Sequence, residues 1–276
     1  MPRHLVFIVM DSCRYDSFVA ADTPNMDRVG TAERRYSFAS WTSPSHQTFL
    51  MGQVPHTSPK GVFASEVYKK EFAKWIDRTG IPNLSFKTFV PQLCLPKVLK
   101  DHGYRTIARV SMPVLNAYAG FSRGFDDYRL MENHNDFAGM VAEIDFSTPG
   151  PHFYFFNLGE THYPYRLMDA DLPRISGLHG VVKNMDDVLV RSHESPEREP
   201  EFFSADAMKY LHRKQIESVE YIDGLLGNLF EKCPDETYFI VTSDHGELFG
   251  EGNYFGHGPV MHEKCFEVPY MEGPRP

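Results

Sequence analysis

The sequence predicts an α/β protein built on a mostly parallel sheet, and three observations carry that prediction. Short runs of apolar residues recur along the chain, and stretches with helical periodicity separate them. Those runs lack polar alternation, the pattern of strands covered on both faces. Chemistry-bearing residues stand just beyond two of them, and open α/β sheets bind ligands just beyond the carboxyl ends of their strands.

Taken in order, Leu5–Met10 is the first run, six apolar residues rich in β-branching. Thr106–Val110 is a weaker strand after Gly103-Tyr104, and Phe153–Phe156 is an aromatic one. A helix is predicted from about 205 to 232. There Met208, Leu211, Val219, Ile222, Leu226 and Leu229 fall on one face, and Pro234 lies just past the end. Tyr238–Thr242 is the last apolar strand. The polar stretch from 171 to 203, with its Pro, Glu and Ser, reads as a surface excursion, either a lid or a loop without fixed structure. The whole of 1–276 is read as a single domain, without internal repeats.

The 276 residues, 42% hydrophobic and 24% charged, suffice for a large core. A net charge of −9 argues against nucleic acid or an anionic membrane as partner. An anionic small molecule stays open, because a metal ion can invert the local field. The four cysteines are widely spaced with no CxxC pair and read as reduced thiols. The first apolar run is too short for a membrane span and is followed by no small-residue cleavage site, so a cytoplasmic protein is expected.

Asp11 follows the first strand, and Ser243-Asp244-His245-Gly246-Glu247 follows the last. A carboxylate beside an imidazole suits Zn²⁺ or Mn²⁺, but adjacent residues reach one ion only if the backbone turns, which Gly246 permits. Thr42-Ser43-Pro44-Ser45-His46 reads as a helix start, with Ser43 capping and Pro44 in the first turn. Thr42 there is a hydroxyl nucleophile candidate, because a helix N-terminus favours anionic groups and metal coordination activates hydroxyls. His162, in Glu160-Thr161-His162-Tyr163-Pro164, and His257, between Gly256 and Gly258, are further candidates. One histidine among 13 is more often structural than a ligand, though flanking glycines tilt His257 towards function.

These motifs, in this order, resemble the sulfatase branch of the alkaline phosphatase superfamily. The matching segments are His4–Asp16, Thr23–Arg28, Trp41–Gly52, Gly103–Thr106, Gly124–Tyr128, His162–Tyr165 and Thr242–Glu247, spanning nearly the whole chain. The resemblance implies a three-layer α/β/α sandwich and one or two divalent ions, zinc first, with manganese or calcium as alternatives. It implies Asp11, Thr42, Asp244 and His245 as ligands of one ion and Thr42 as nucleophile. His162 and His257 are implied as a second metal site, or alternatively as acid and hydrogen-bonding groups. Arg14 and His46 are weaker candidates for substrate contact, and Arg14 could equally be a structural ion-pair residue.

Departures from the family pattern redirect the chemistry. Sulfatases place Cys or Ser, converted to formylglycine, in a Cys/Ser-x-Pro-x-Arg motif, whereas this chain has Thr42 and, in place of the Arg, His46. The Asp-Asp pair after the first strand reads Asp11-Ser12, and Ala108–Ser111 stands where Gly-Lys-Trp-His is expected. Threonine cannot become formylglycine, and it is the nucleophile of the superfamily's nucleotide phosphodiesterases, phosphoethanolamine transferases and some phosphonate ester hydrolases, so the resemblance implies a metal-dependent hydrolase or transferase of phosphate or phosphonate esters with a covalent threonine intermediate. A sulfuric ester hydrolase and a catalytically weak metal-binding partner protein are the alternatives. The sulfatase C-terminal subdomain is not recognisable after Tyr270, which suggests an open site or one completed by a partner or a second copy.

Overall fold

The computed structural model describes residues 3–57, 61–89, 92–166 and 204–276, together with the backbone of 181–182. Its centre is a seven-stranded sheet. The strands are β1 (His4–Met10), β2 (Glu33–Tyr36), β3 (Arg105–Val110), β4 (Asp127–Leu130), β5 (His152–Leu158), β7 (Thr237–Ser243) and β10 (Glu267–Pro274), ordered β2-β10-β7-β1-β5-β3-β4. A second sheet has the order β6-β9-β8, from β6 (Val181–Val182), β8 (Leu248–Phe249) and β9 (Tyr254–Gly256). In the large sheet β10 alone runs against its neighbours, so it is mostly parallel as predicted.

The side-chain alternation of β1 shows why there are three layers. Val6, Ile8 and Met10 point into one core, closed by helices α1 (Tyr15–Ala20), α2 (Met26–Val29), α8 (Phe137–Glu143) and α9 (Ala205–Lys232). Leu5, Phe7 and Val9 point into the other, closed by α3 (Thr42–Leu50), α4 (Ala64–Ala73), α5 (Trp75–Thr79), α6 (Phe86–Phe89) and α7 (Leu95–Asp101). Burying both faces demands the unbroken apolar runs seen in the sequence. The predicted strands agree within two residues, and the long helix spans Ala205–Lys232. The excursion expected over 171–203 lies outside the described residues, apart from the 181–182 backbone, which pairs with Tyr254 and Phe255.

Register fixes where the chemistry sits. Met10 lies opposite both Leu158 and Ser243, so β5, β1 and β7 end level with one another. The residues that follow them share one edge of the sheet.

Candidate metal centre and nucleophile

Asp11 leaves the end of β1, and Asp244 with His245 leaves the end of β7. Ligand atoms of these three residues lie within 4.8 Å of one another, and all three are fully buried. His245 Nε2 stands 3.3 Å from Asp244 Oδ2 and 3.9 Å from Asp11 Oδ1. Its Nδ1 donates to the Gly246 carbonyl at 2.9 Å, so Nε2 turns a lone pair towards the carboxylates. Helix α3 delivers Thr42 as its first residue, with Oγ1 3.2 Å from the same Nε2. The helix begins one residue before the Ser43 cap read from sequence. Trp41 caps it through its extended backbone with no side-chain bond, which places Thr42 in the first turn.

The first carboxylate is well held. Asp11 Oδ1 accepts from the Ser12 hydroxyl at 3.1 Å and Oδ2 from Asn157 Nδ2 at 2.9 Å. Asp244 Oδ1 accepts from the Ser12 and His245 backbone N–H groups, at 3.1 and 2.9 Å, while its buried Oδ2 has no hydrogen-bond partner. Burial, together with the neighbouring Asp11, pushes the Asp244 carboxyl well above the usual range. Burial alone would raise Asp11 too, but His162, His245 and His46 outweigh it and hold this carboxyl low. Two desolvated carboxylates, one with an orphaned oxygen, facing a hydroxyl and an imidazole lone pair make a donor set fitted to a divalent cation. Burial also drives His245 well below its ordinary value, keeping it neutral as a ligand must be.

His162 and His257 join this cluster. Their ring centroids lie 5.1 Å apart, and those of His245 and His257 4.4 Å apart. His162 Nδ1 donates to the Tyr163 carbonyl at 2.7 Å, leaving a buried Nε2 without a hydrogen-bond partner. His257 Nδ1 lies 3.3 Å from Ser12 Oγ and 3.5 Å from Glu247 Oε2. Both flanking glycines have positive φ, 93° at Gly256 and 143° at Gly258, a conformation that favours glycine. Gly246 follows a backbone bend at Asp244. Its φ lies outside the left-handed region, and what it supplies is space, since a Cβ there would come 2.1 Å from the Lys264 carbonyl oxygen.

The two weaker candidates for substrate contact are both engaged within the protein. Arg14 donates to Asp16 through Nε and Nη2 and to Glu251 and the Glu247 carbonyl through Nη1, which makes it the ion-pair residue of the alternative reading. His46 is 1% exposed. Its Nδ1 donates to the Thr42 carbonyl at 2.9 Å and its Nε2 accepts from Asn157 at 3.2 Å, so it braces Thr42 directly and Asp11 through Asn157. Burial lowers the His46 pKa to about 4. Sequence reading missed Ser12, Asn157, Glu247 and Gln215. Asn157 carried a visible signal, as the polar residue closing an aromatic strand.

A level sheet edge with a carboxylate–imidazole cluster and a threonine at a helix start is an arrangement fitted to bind a divalent cation. The sulfatase family model matches residues 3–271, and the chain belongs to the sulfatase family. Its fold is that of the alkaline phosphatase superfamily. A Vibrio parahaemolyticus member of that superfamily has TM-score 0.52 and 16% identity over 99% of this chain and 60% of that one. The C-terminal periplasmic domain of EptC from Escherichia coli, solved in complex with Zn, has TM-score 0.57 and 15% identity over 99% and 73%. The corresponding domain of the phosphoethanolamine transferase EptC from Campylobacter jejuni has TM-score 0.56 and 13% identity over 99% and 79%. Sulfatases are among the similar structures too. No curated protein matches in sequence. The family model places the chain among the enzymes of the sulfatase family, and these neighbours share its fold.

Proposed function

We propose that this chain is a metal-dependent hydrolase or transferase of phosphate or phosphonate esters that works through a covalent intermediate on Thr42. The observation that carries the reading is Thr42 Oγ1 set 3.2 Å from His245 Nε2 inside the carboxylate cluster, at a position where formylglycine cannot form. Asp11, Thr42, Asp244 and His245 would hold the ion, with zinc the first choice and manganese or calcium the alternatives. When bound, a divalent cation supplies Lewis-acid stabilisation of phosphoryl charge and favours loss of the hydroxyl proton.

The chain's own residues do the rest. Thr42 Oγ forms the bond to phosphorus as the ester oxygen departs, and water or a second acceptor then releases the phosphoryl group. A helix N-terminus favours an anionic group, and α3 begins at Thr42. Neutral His162, with its N–H spent on Tyr163, offers an Nε2 lone pair; with His257 it is assigned to a second cation rather than to proton donation. Among the described residues no helix is long and apolar enough to cross a membrane. We also propose a cytoplasmic location, testable by cell fractionation.

Thr42→Ala tests the reading against model phosphodiesters and aryl sulfates with Zn²⁺, Mn²⁺ and Ca²⁺. The parent is expected to prefer the phosphodiester, and the variant to lose at least about a thousandfold in kcat. Unchanged turnover would remove Thr42 as nucleophile. Faster cleavage of the aryl sulfate by the parent would move the substrate class to sulfate. A parent that binds metal and turns over neither ester would favour the non-catalytic partner protein.

A further inference from the structure

The loops that carry the site residues leave three different strands, and one buried side chain on α9 bonds to all of them. Gln215 is 0% exposed. The two protons of its Nε2 are shared among three acceptors, the Ser12 carbonyl at 2.9 Å, the Thr161 carbonyl at 3.0 Å and Glu247 Oε1 at 2.9 Å. Its Oε1 accepts from the Ser17 hydroxyl at 2.6 Å and the Arg14 N–H at 3.3 Å, which fixes the orientation of the amide. Ser12 follows Asp11 beyond β1, Thr161 precedes His162 beyond β5, and Glu247 lies two residues past His245 beyond β7.

Each contact falls where it governs a candidate ligand. Ser12 adopts φ 61°, a left-handed conformation uncommon for a residue with a Cβ, which persists only where its surroundings hold it. From that conformation its N–H reaches Asp244 Oδ1 and its hydroxyl reaches Asp11 Oδ1. Gln215 secures the carbonyl of this same residue. The Thr161 side chain in turn donates to the Asp11 carbonyl at 2.7 Å. Glu247 Oε1 is shared by Gln215 and the Tyr165 hydroxyl, so Oε2 is the oxygen left to face His257.

A satisfied core amide is the simpler account of a buried glutamine, but its position argues for more. Gln215 lies four residues from Leu211 and four from Val219 on the apolar stripe of α9, where an aliphatic side chain would fill the same place. Its bonds run to β1, β5 and β7 loop residues and to Ser17 rather than to its own helix. We propose that Gln215 is a positioning residue of the metal centre: it holds the three loops so that Asp11, His162, His245 and His257 meet. This rests on the reading that the cluster binds a divalent cation.

The test compares the full chain with Gln215→Leu and Gln215→Glu. It uses Zn²⁺ titration calorimetry, metal-free thermal unfolding, and kcat and KM on a model phosphodiester. Gln215→Leu is expected to weaken Zn²⁺ binding roughly 10- to 100-fold and to lower kcat on the same scale with KM little changed. If the leucine variant does not fold, Gln215→Glu carries the test. It keeps the shape but sets a carboxyl oxygen against two carbonyls and Glu247, so Zn²⁺ binding is again expected to weaken. Zn²⁺ affinity equal to the parent's in a folded variant, even with a lowered unfolding temperature, would make Gln215 merely structural and overturn the proposal. A parent that binds none of Zn²⁺, Mn²⁺ or Ca²⁺ would overturn the cation reading beneath it, a separate and recognisable result.

Discussion

Charge at single residues explains most of the site. Asp244 pairs one carboxylate oxygen with two N–H groups and leaves the other bare beside His245. In a core without water such an oxygen is costly unless a proton or a cation meets it. Glu160, two residues before His162, shows the same physics. Burial lifts its pKa to about 7, although it accepts the Phe137 N–H at 2.7 Å. Because the folded value is raised, its contribution to stability is complete below pH 4.5 and is lost as pH rises towards about 7. Glu160→Gln keeps an oxygen for Phe137 and cannot ionise. Its stability relative to the parent is therefore expected to improve between pH 4.5 and 8, by about 3 kcal/mol at most. Parallel denaturation midpoints for the two proteins across that range would contradict this account.

At the level of elements, legibility followed burial. β1, β5 and β7 have apolar interiors because both faces are covered, so their runs stood out, and the residues just past them form the candidate site. β2 and β4 lie at the sheet edges and read Glu-Arg-Arg-Tyr and Asp-Tyr-Arg-Leu, with no apolar run to find. β10 carries Pro269, Gly273 and Pro274, which hid an inner strand that runs antiparallel between β2 and β7. Gln215 escaped because its role arises only when distant loops close on it. The loop after β7 depends on close approach to the segment before β10, where the Gly246 N–H donates to the Cys265 carbonyl at 3.0 Å. Gly246→Ala would drive a Cβ into the Lys264 carbonyl, so it is expected to cost about 1–3 kcal/mol and to weaken Zn²⁺ binding. A denaturant midpoint and Zn²⁺ titration equal to the parent's would refute the space argument.

On the scale of the whole molecule, the three layers serve to bring one edge of one sheet to a single height. The α8 and α9 core fixes β1, β5 and β7 from one face, the α3–α7 core from the other, and α3 adds the threonine from its own layer. That arrangement spans 99% of this chain in its likeness to the zinc-complexed EptC domain, at 15% identity. The architecture is thus carried by burial pattern and strand-end placement more than by particular residues. Within that fold, the proposed chemistry turns on the threonine that α3 sets beside His245. The most direct measurement is mass spectrometry of peptides from enzyme acid-quenched during turnover of a phosphodiester with Zn²⁺. The account predicts the phosphoryl-ester adduct on Thr42 and its absence from Thr42→Ala; steady turnover with no adduct on Thr42, or an adduct on another residue, would contradict it.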